Sequence, residues 1–267
     1  MNPGQIWSEL LASNRLLAIS GAGYVALFAV LAVVAQFDDT TVLGINRWIK
    51  PMKFAISIAI FQWTMAWLMR SLEGANNGIR VISWVIFAAM LAEIVPIVGQ
   101  AARGRLSHFN VSTAFDGAVF AMMGMMIGIS TLATIYALVL FFTNPGRIPP
   151  AYLWGIRIGL LLFIVFSVEG GLMASRLAHT VGAPDGGPGL PFFNWSTRGG
   201  DLRIAHFVGI HALQAILLVG FLLGRLGDRM TPVNAVWLTV VFGVVYAAVT
   251  SWLFLQALAG RPLLTLK

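Results

Sequence analysis

Two short segments carry most of the residues able to do chemistry. The run Arg203-Ile204-Ala205-His206-Phe207-Val208-Gly209-Ile210-His211-Ala212-Leu213-Gln214 brings a guanidinium, two imidazoles and an amide into otherwise apolar sequence. Its first five residues repeat an earlier pentad, Arg105-Leu106-Ser107-His108-Phe109, as Arg, Leu or Ile, a small residue, His and Phe. Eight residues after the repeated His stands Asp116 in one copy and Gln214 in the other. Imidazole ligates metals and haem iron and exchanges protons near neutral pH. In a membrane helix such groups are expensive, so their presence there points to function.

Depth and spacing assemble a candidate site. Glu93 and Glu169 each lie near the end of an apolar run, and Asp116 and His211 lie a little inside the start of one, all at a depth of roughly 9–12 Å by helical rise. His108 and His206 stand just above that layer. His206 and His211 are five residues apart, about 140° around a helix axis, so they do not chelate one atom together. The expected arrangement therefore pairs His206 with His108 across a pseudo-twofold, with His211 facing Glu93, Glu169 and Asp116.

That set supports three chemistries. His108 and His206 suit the axial positions of a haem b. Imidazoles His108, His206 and His211 with Glu93 and Glu169 suit a non-haem iron, zinc or manganese centre, with Asp116 as a further carboxylate. Alternatively, Glu93, Glu169 and His211 relay protons in a proton-coupled transporter for a small anionic solute. Arg105 and Arg203 would hold an anionic group of the cofactor or substrate. The lead expectation is a haem- or metal-dependent membrane oxidoreductase acting on a lipid-soluble or anionic substrate such as a quinone; polar positions are sparse toward the other face, which disfavours a transport path.

The elements that must position these residues are membrane helices. The chain has 267 residues, 58% of them hydrophobic and 10% charged, far more apolar than a soluble core requires. Seven runs reach the roughly 20 residues a span needs: Leu16–Gln36, Met52–Met69, Ile79–Gly99, Asn110–Phe142, Tyr152–Leu177, Ile204–Leu223 and Val233–Leu258. The fold expected is an all-α polytopic helix bundle forming a single transmembrane domain over residues 1–267. The third and fourth spans would make one hairpin and the fifth and sixth another, related by the pentad repeat. A weaker echo, Arg47-Trp48-Ile49-Lys50, opens the second span.

An odd number of spans alternates the connections between a side A, with short turns, and a side B, with the 38–50, 100–107 and 178–202 segments. All four histidines fall on side B. Basic residues occur on both sides, including Lys267 on side B, so the positive-inside rule leaves orientation open. The net charge of +7 is read as flank charge meeting anionic lipid headgroups, not as a nucleic-acid surface. A bacterial inner membrane is the expected location, and residues 1–14 lack the basic segment and cleavage site of a secretory leader. Absence of cysteine excludes thiolate metal sites, iron–sulfur clusters and cysteine nucleophiles.

Other features read as packing. Gly124 with Gly128, Gly155 with Gly159 and Gly220 with Gly224 are four apart and predict close helix contacts. Met122, Met123, Met125 and Met126 point in several directions and predict core filling. The Gly- and Pro-rich segment 182–191 predicts a loop placed to cover the site. Known seven-helix proteins offer comparisons that fail on particular residues. Alkaline ceramidase-type zinc hydrolases use a His-x-x-x-His pair, one residue shorter than His206 to His211, and a retinal protein needs a lysine that the seventh span lacks.

Overall fold

Local sequence signals set where each helix starts and stops. In this computed structural model, which describes residues 2–265, Lys267 lies outside the described residues. The helices are α1 (Pro3–Ser13), α2 (Arg15–Val34), α3 (Ile49–Met69), α4 (Asn76–Ala102), α5 (Ala114–Thr143), α6 (Pro150–Arg176), α7 (Leu202–Gly224) and α8 (Pro232–Leu258). Prolines open α1, α6 and α8, where a missing N–H costs nothing. Seven of the helices are long and apolar enough to cross a membrane, so the chain is an all-α integral membrane protein of seven spans.

The chain divides into two compact units, residues 1–137 and 138–267, with α5 running from the first into the second. In the first unit, α1 is an added helix that the apolar-run reading passes over, since it is too short to span. A capping box between Asn2 and Gln5 starts it, with bonds of 2.9 and 2.8 Å. Asn14 then caps α2 at Leu17 N, 3.1 Å, and also donates to Ser83 Oγ of α4 at 2.6 Å. The α2–α3 contact is locked by Trp63, whose indole donates to Ala18 O at 3.0 Å and fills the space left by Gly21. Between these helices, β1 (Thr41–Val42) and β2 (Ile45–Asn46) form a two-residue hairpin in register Thr41 to Asn46.

The fourth span begins later than its hydrophobicity predicts. Asn110 Oδ1 accepts from Ser112 N at 3.1 Å and from Ser112 Oγ at 2.7 Å, a local turn that competes with helix. The helix therefore opens at Ala114, and at 30 residues it is about 45 Å long, enough to tilt or project from the hydrocarbon core. Asp116 is consequently in its first turn and not deep within it.

In the second unit, α6 and α7 pack backbone to backbone. A Cβ on Gly220 would lie 2.5 Å from Ala151 O, one on Gly155 2.9 Å from Ile216 O, and one on Gly159 3.2 Å from Leu213 Cα. Gly224 likewise faces Pro149. The second and third glycine pairs thus make the predicted close contact, whereas Gly124 and Gly128 have nothing within 4 Å and lie on an exposed face of α5. The four α5 methionines diverge, but core filling holds only for Met123, which is buried; Met122 and Met125 are exposed.

The segment between α6 and α7 is folded. Strands β3 (Thr180–Val181) and β4 (Gly200–Asp201) pair antiparallel, and Gly200 sits so close to Ala257 of α8 that no side chain would fit. Within it, Leu190 N donates to Trp195 O at 2.9 Å and Thr197 N to Pro188 O at 3.0 Å.

Candidate functional site

Each unit carries a glutamate near the end of one helix and a histidine from the following connection or helix. In the first unit, Glu93 of α4 is 2% exposed, and its Oε1 lies 3.2 Å from His108 Nε2. Its other oxygen is buried with no hydrogen-bond partner among the described residues. The His108 ring is boxed by Phe54, Phe109 and Phe120 at centroid distances of 5.4, 6.1 and 6.2 Å. Its Nδ1 is 3.2 Å from Ser107 Oγ. With Glu93 ionised, Nε2 must carry the proton, and Nδ1 then accepts from the Ser107 hydroxyl. Burial, followed by the charge of Lys50, pushes the His108 pKa below its usual value, and Glu93 offsets part of that. The backbone reaches this arrangement through Phe109 at φ 59°, a left-handed conformation unusual for an aromatic residue.

Asp116 serves a different purpose. Its carboxylate accepts from Gln100 Nε2 at 2.8 Å, Arg103 Nη1 at 2.7 Å and Thr113 Oγ1 at 2.9 Å, while its own N–H donates to Thr113 Oγ1 at 3.1 Å. It is a helix-start clasp tying α5 to the end of α4. Arg105 lines a cavity of about 350 Å³ and has no ion pair among the described residues. The echo at Arg47 is also structural. Asp38 accepts from Arg47 Nε at 2.6 Å and Trp48 Nε1 at 2.7 Å, and Arg47 reaches Ala102 O at 2.9 Å. Hydrogen bonds from Thr40, then from Trp48 and Arg47, hold the Asp38 carboxyl well below the usual range.

In the second unit, Glu169 of α6 is 9% exposed, and neither carboxyl oxygen has a hydrogen-bond partner among the described residues. One residue further on, Gly170 makes room for His206: a Cβ there would be 3.2 Å from the imidazole Cε1. His206 Nδ1 lies 2.7 Å from Phe166 O. A carbonyl only accepts, so Nδ1 carries a proton, and in the neutral ring Nε2 bears the lone pair. Phe166 is itself held by Gly209, where a Cβ would lie 2.1 Å from its ring.

His211 stays apart from His206, as the five-residue spacing predicts. Its Nδ1 is 3.3 Å from Gln214 Oε1 and its ring meets Phe207 at 4.4 Å. Phe207 continues into an aromatic group with Phe193 and Trp195, the last two stacked at 4.5 Å. Arg203 is committed to Asp201, with bonds of 2.9 and 2.7 Å, and also donates to Asn194 O. Asp201 caps α7 at Arg203 N and accepts from Ser196 N at 2.8 Å. Burial raises its pKa, but Arg203 and His179 outweigh this and hold it low.

Sequence reading missed the surroundings of His179. Its Nδ1 is 3.3 Å from Asp185 and 3.7 Å from Asp201, and Asp185 also accepts from Thr180 N at 2.9 Å. Asp201 directly before the Leu202-Arg203-Ile204 start of α7 was the available signal for a cap. Asp185, inside the 182–191 segment, thus pins that segment to the base of β3.

Among the described residues, no three His, Asp or Glu side chains come together as a group able to hold a metal ion. The mixed carboxylate and imidazole set expected from residue depth is divided between separate partners: Asp116 goes to Arg103, Glu93 to His108, and His211 to Gln214. The chain matches no family model, no curated protein and no solved structure.

Proposed function

We propose that this is a membrane oxidoreductase acting on a lipid-soluble, hydrogen-bonding redox substrate of the quinone class, with Glu93 and His108 exchanging the substrate's protons. The observation that carries this reading is the 3.2 Å contact between Glu93 and His108 inside three phenylalanine rings. Oxidation of a hydroquinone releases two protons and two electrons, and a neutral imidazole backed by a carboxylate can take a hydroxyl proton as the electrons leave. Aromatic walls suit the flat ring of such a substrate. Burial lowers the His108 pKa, which favours the neutral ring, the state that can accept a proton.

A haem b is the cofactor that fits the remaining residues better than a bare metal ion. A haem brings four nitrogen ligands of its own and needs one or two from the protein, whereas an iron, zinc or manganese ion needs three or more. His206, with Nδ1–H on the Phe166 carbonyl, has the outer hydrogen bond that orients ligating histidines. When bound, a haem would accept one electron at a time, so a two-electron oxidation would require it to pass the first electron to an external one-electron acceptor before taking the second.

Purified protein with a Soret band that disappears in His206→Ala but persists in Glu93→Gln, the latter oxidising a short-chain quinol at least about 100-fold more slowly, would support this reading. A preparation with no Soret band and no stoichiometric metal would overturn it. A second reading, proton-coupled transport, is favoured by Glu169 of α6, whose buried carboxyl oxygens have no hydrogen-bond partner among the described residues. Substrate-dependent proton uptake into vesicles, abolished in Glu169→Gln, would select it.

A further inference from the structure

In the loops that follow α2 and α4 in the first unit, two arginines are held by aspartates and a third is not. Arg47 is paired with Asp38 at 2.5 Å and Arg103 with Asp116 at 2.7 Å, so each of these guanidiniums is already neutralised. Arg105 is exposed, and no carboxylate lies within ion-pair distance of it among the described residues. It is nevertheless held in a defined place. The end of α4 is closed by a Schellman motif in which Arg105 N donates to Gln100 O at 2.8 Å and Gly104 N to Ala101 O at 2.9 Å. Gly104, at φ 66°, supplies the left-handed residue that this turn requires.

Arg105 borders a cavity of about 350 Å³. The β1–β2 hairpin also lines the cavity, with the hydroxyl-bearing Thr41 and the apolar Val42 and Leu43; Leu106 adds to the apolar lining. The other polar lining groups have internal partners: Asn110 donates to Leu106 O at 2.9 Å, and Ser112 donates to Asn110 at 2.7 Å. The cavity lining thus combines an arginine with no ion pair among the described residues and apolar surface, in segments that follow α2 and α4 in the chain.

We infer that this cavity is a binding site for a phosphate-type anion carried at the membrane surface, with the Arg105 guanidinium as its fork and Val42, Leu43 and Leu106 against the adjoining glycerol or acyl portion. Guanidinium offers paired donors matched to phosphate oxygens and is less strongly hydrated than an ammonium, which suits a half-enclosed interfacial position. The site is independent of the redox reading, since it uses neither Glu93 nor His108 nor a haem.

The test uses the full chain in a non-ionic detergent. Binding of short-chain phosphatidylglycerol, of short-chain phosphatidylcholine and of inorganic phosphate is followed by calorimetry. Phosphatidylglycerol is expected to bind, Arg105→Gln to weaken it at least about tenfold, and Arg105→Lys to recover part of the loss. Thr41→Glu, which sets an acid in the cavity lining, is expected to weaken it comparably. Arg176→Gln, a change at another exposed arginine, is expected to leave it unaltered. Phosphatidylglycerol binding well above inorganic phosphate identifies a lipid headgroup, and equal binding of the two identifies free phosphate; both retain the anion site. Binding unchanged in Arg105→Gln and Thr41→Glu, equal loss in Arg176→Gln, or no binding of either anion would overturn the proposal.

Discussion

At the scale of single residues, aspartates hold this protein's loops to its helices. Asp38, Asp116 and Asp201 each accept from an arginine and from at least one further donor. Asp38 lies outside the spans, and its pKa is depressed in the folded protein. The stability it contributes is therefore fully present above the ordinary carboxylate range, about pH 4, and is lost as pH falls through the lower folded value. Acid unfolding of Asp38→Asn in detergent should start from a lower stability and show a shallower decline below that range. A second residue-scale expectation concerns Gly209. Because an added Cβ would meet the Phe166 ring root at 2.1 Å, Gly209→Ala should destabilise by about 1–3 kcal/mol in thermal unfolding. It should also disturb His206, which bonds the Phe166 carbonyl.

Helices of similar composition differ here in what their glycines face. Gly220 meets the backbone of α6, while Gly124 faces open space on α5. Gly220→Ala should cost about 1–3 kcal/mol by forcing α6 and α7 apart. Gly124→Ala should instead stabilise by about 0.5–1 kcal/mol, since only helix propensity changes. A ranking in which the two destabilise equally would contradict the packing described. The end of α6 offers another case. Leu177 occupies the left-handed position of a Schellman motif, φ 51°, with Leu177 N on Ala174 O and Ala178 N on Met173 O. Leu177 is 44% exposed, so Leu177→Gly removes backbone strain with little loss of packing and should raise stability by about 1 kcal/mol.

For the whole molecule, the absence of cysteine makes topology directly measurable. If all seven apolar helices cross, the 38–48 and 177–201 connections would fall on one side of the membrane and the 70–75 and 144–149 connections on the other. Single substitutions at exposed positions, Asp39→Cys, Gly187→Cys, Glu73→Cys and Arg147→Cys, should label with an impermeant maleimide in two matching pairs: 39 with 187, and 73 with 147. Any other grouping would mean that one of the apolar helices does not cross.

Hydrophobic runs alone determined the seven spans, because every backbone polar group in a bilayer must be satisfied within a helix and about 20 apolar residues are needed to cross. Spacing alone also determined that His206 and His211 diverge, whereas the same spacing did not tell the α6 and α7 glycines, which pack, from Gly124 and Gly128, which do not. Only the tertiary structure decided which partner each polar residue takes. Depth along a helix placed Asp116 in the same layer as Glu93, but an Asn110 turn delayed the start of α5, and Arg103 and Gln100 reached Asp116 first. Arg105 and Arg203 are equivalent in the repeated pentad, yet Asp201 two residues before Arg203 neutralises one, and no acid stands in that relation to the other. Charge pairing acts over a few ångströms between segments distant in sequence, so a motif can name the residues while the fold assigns their work.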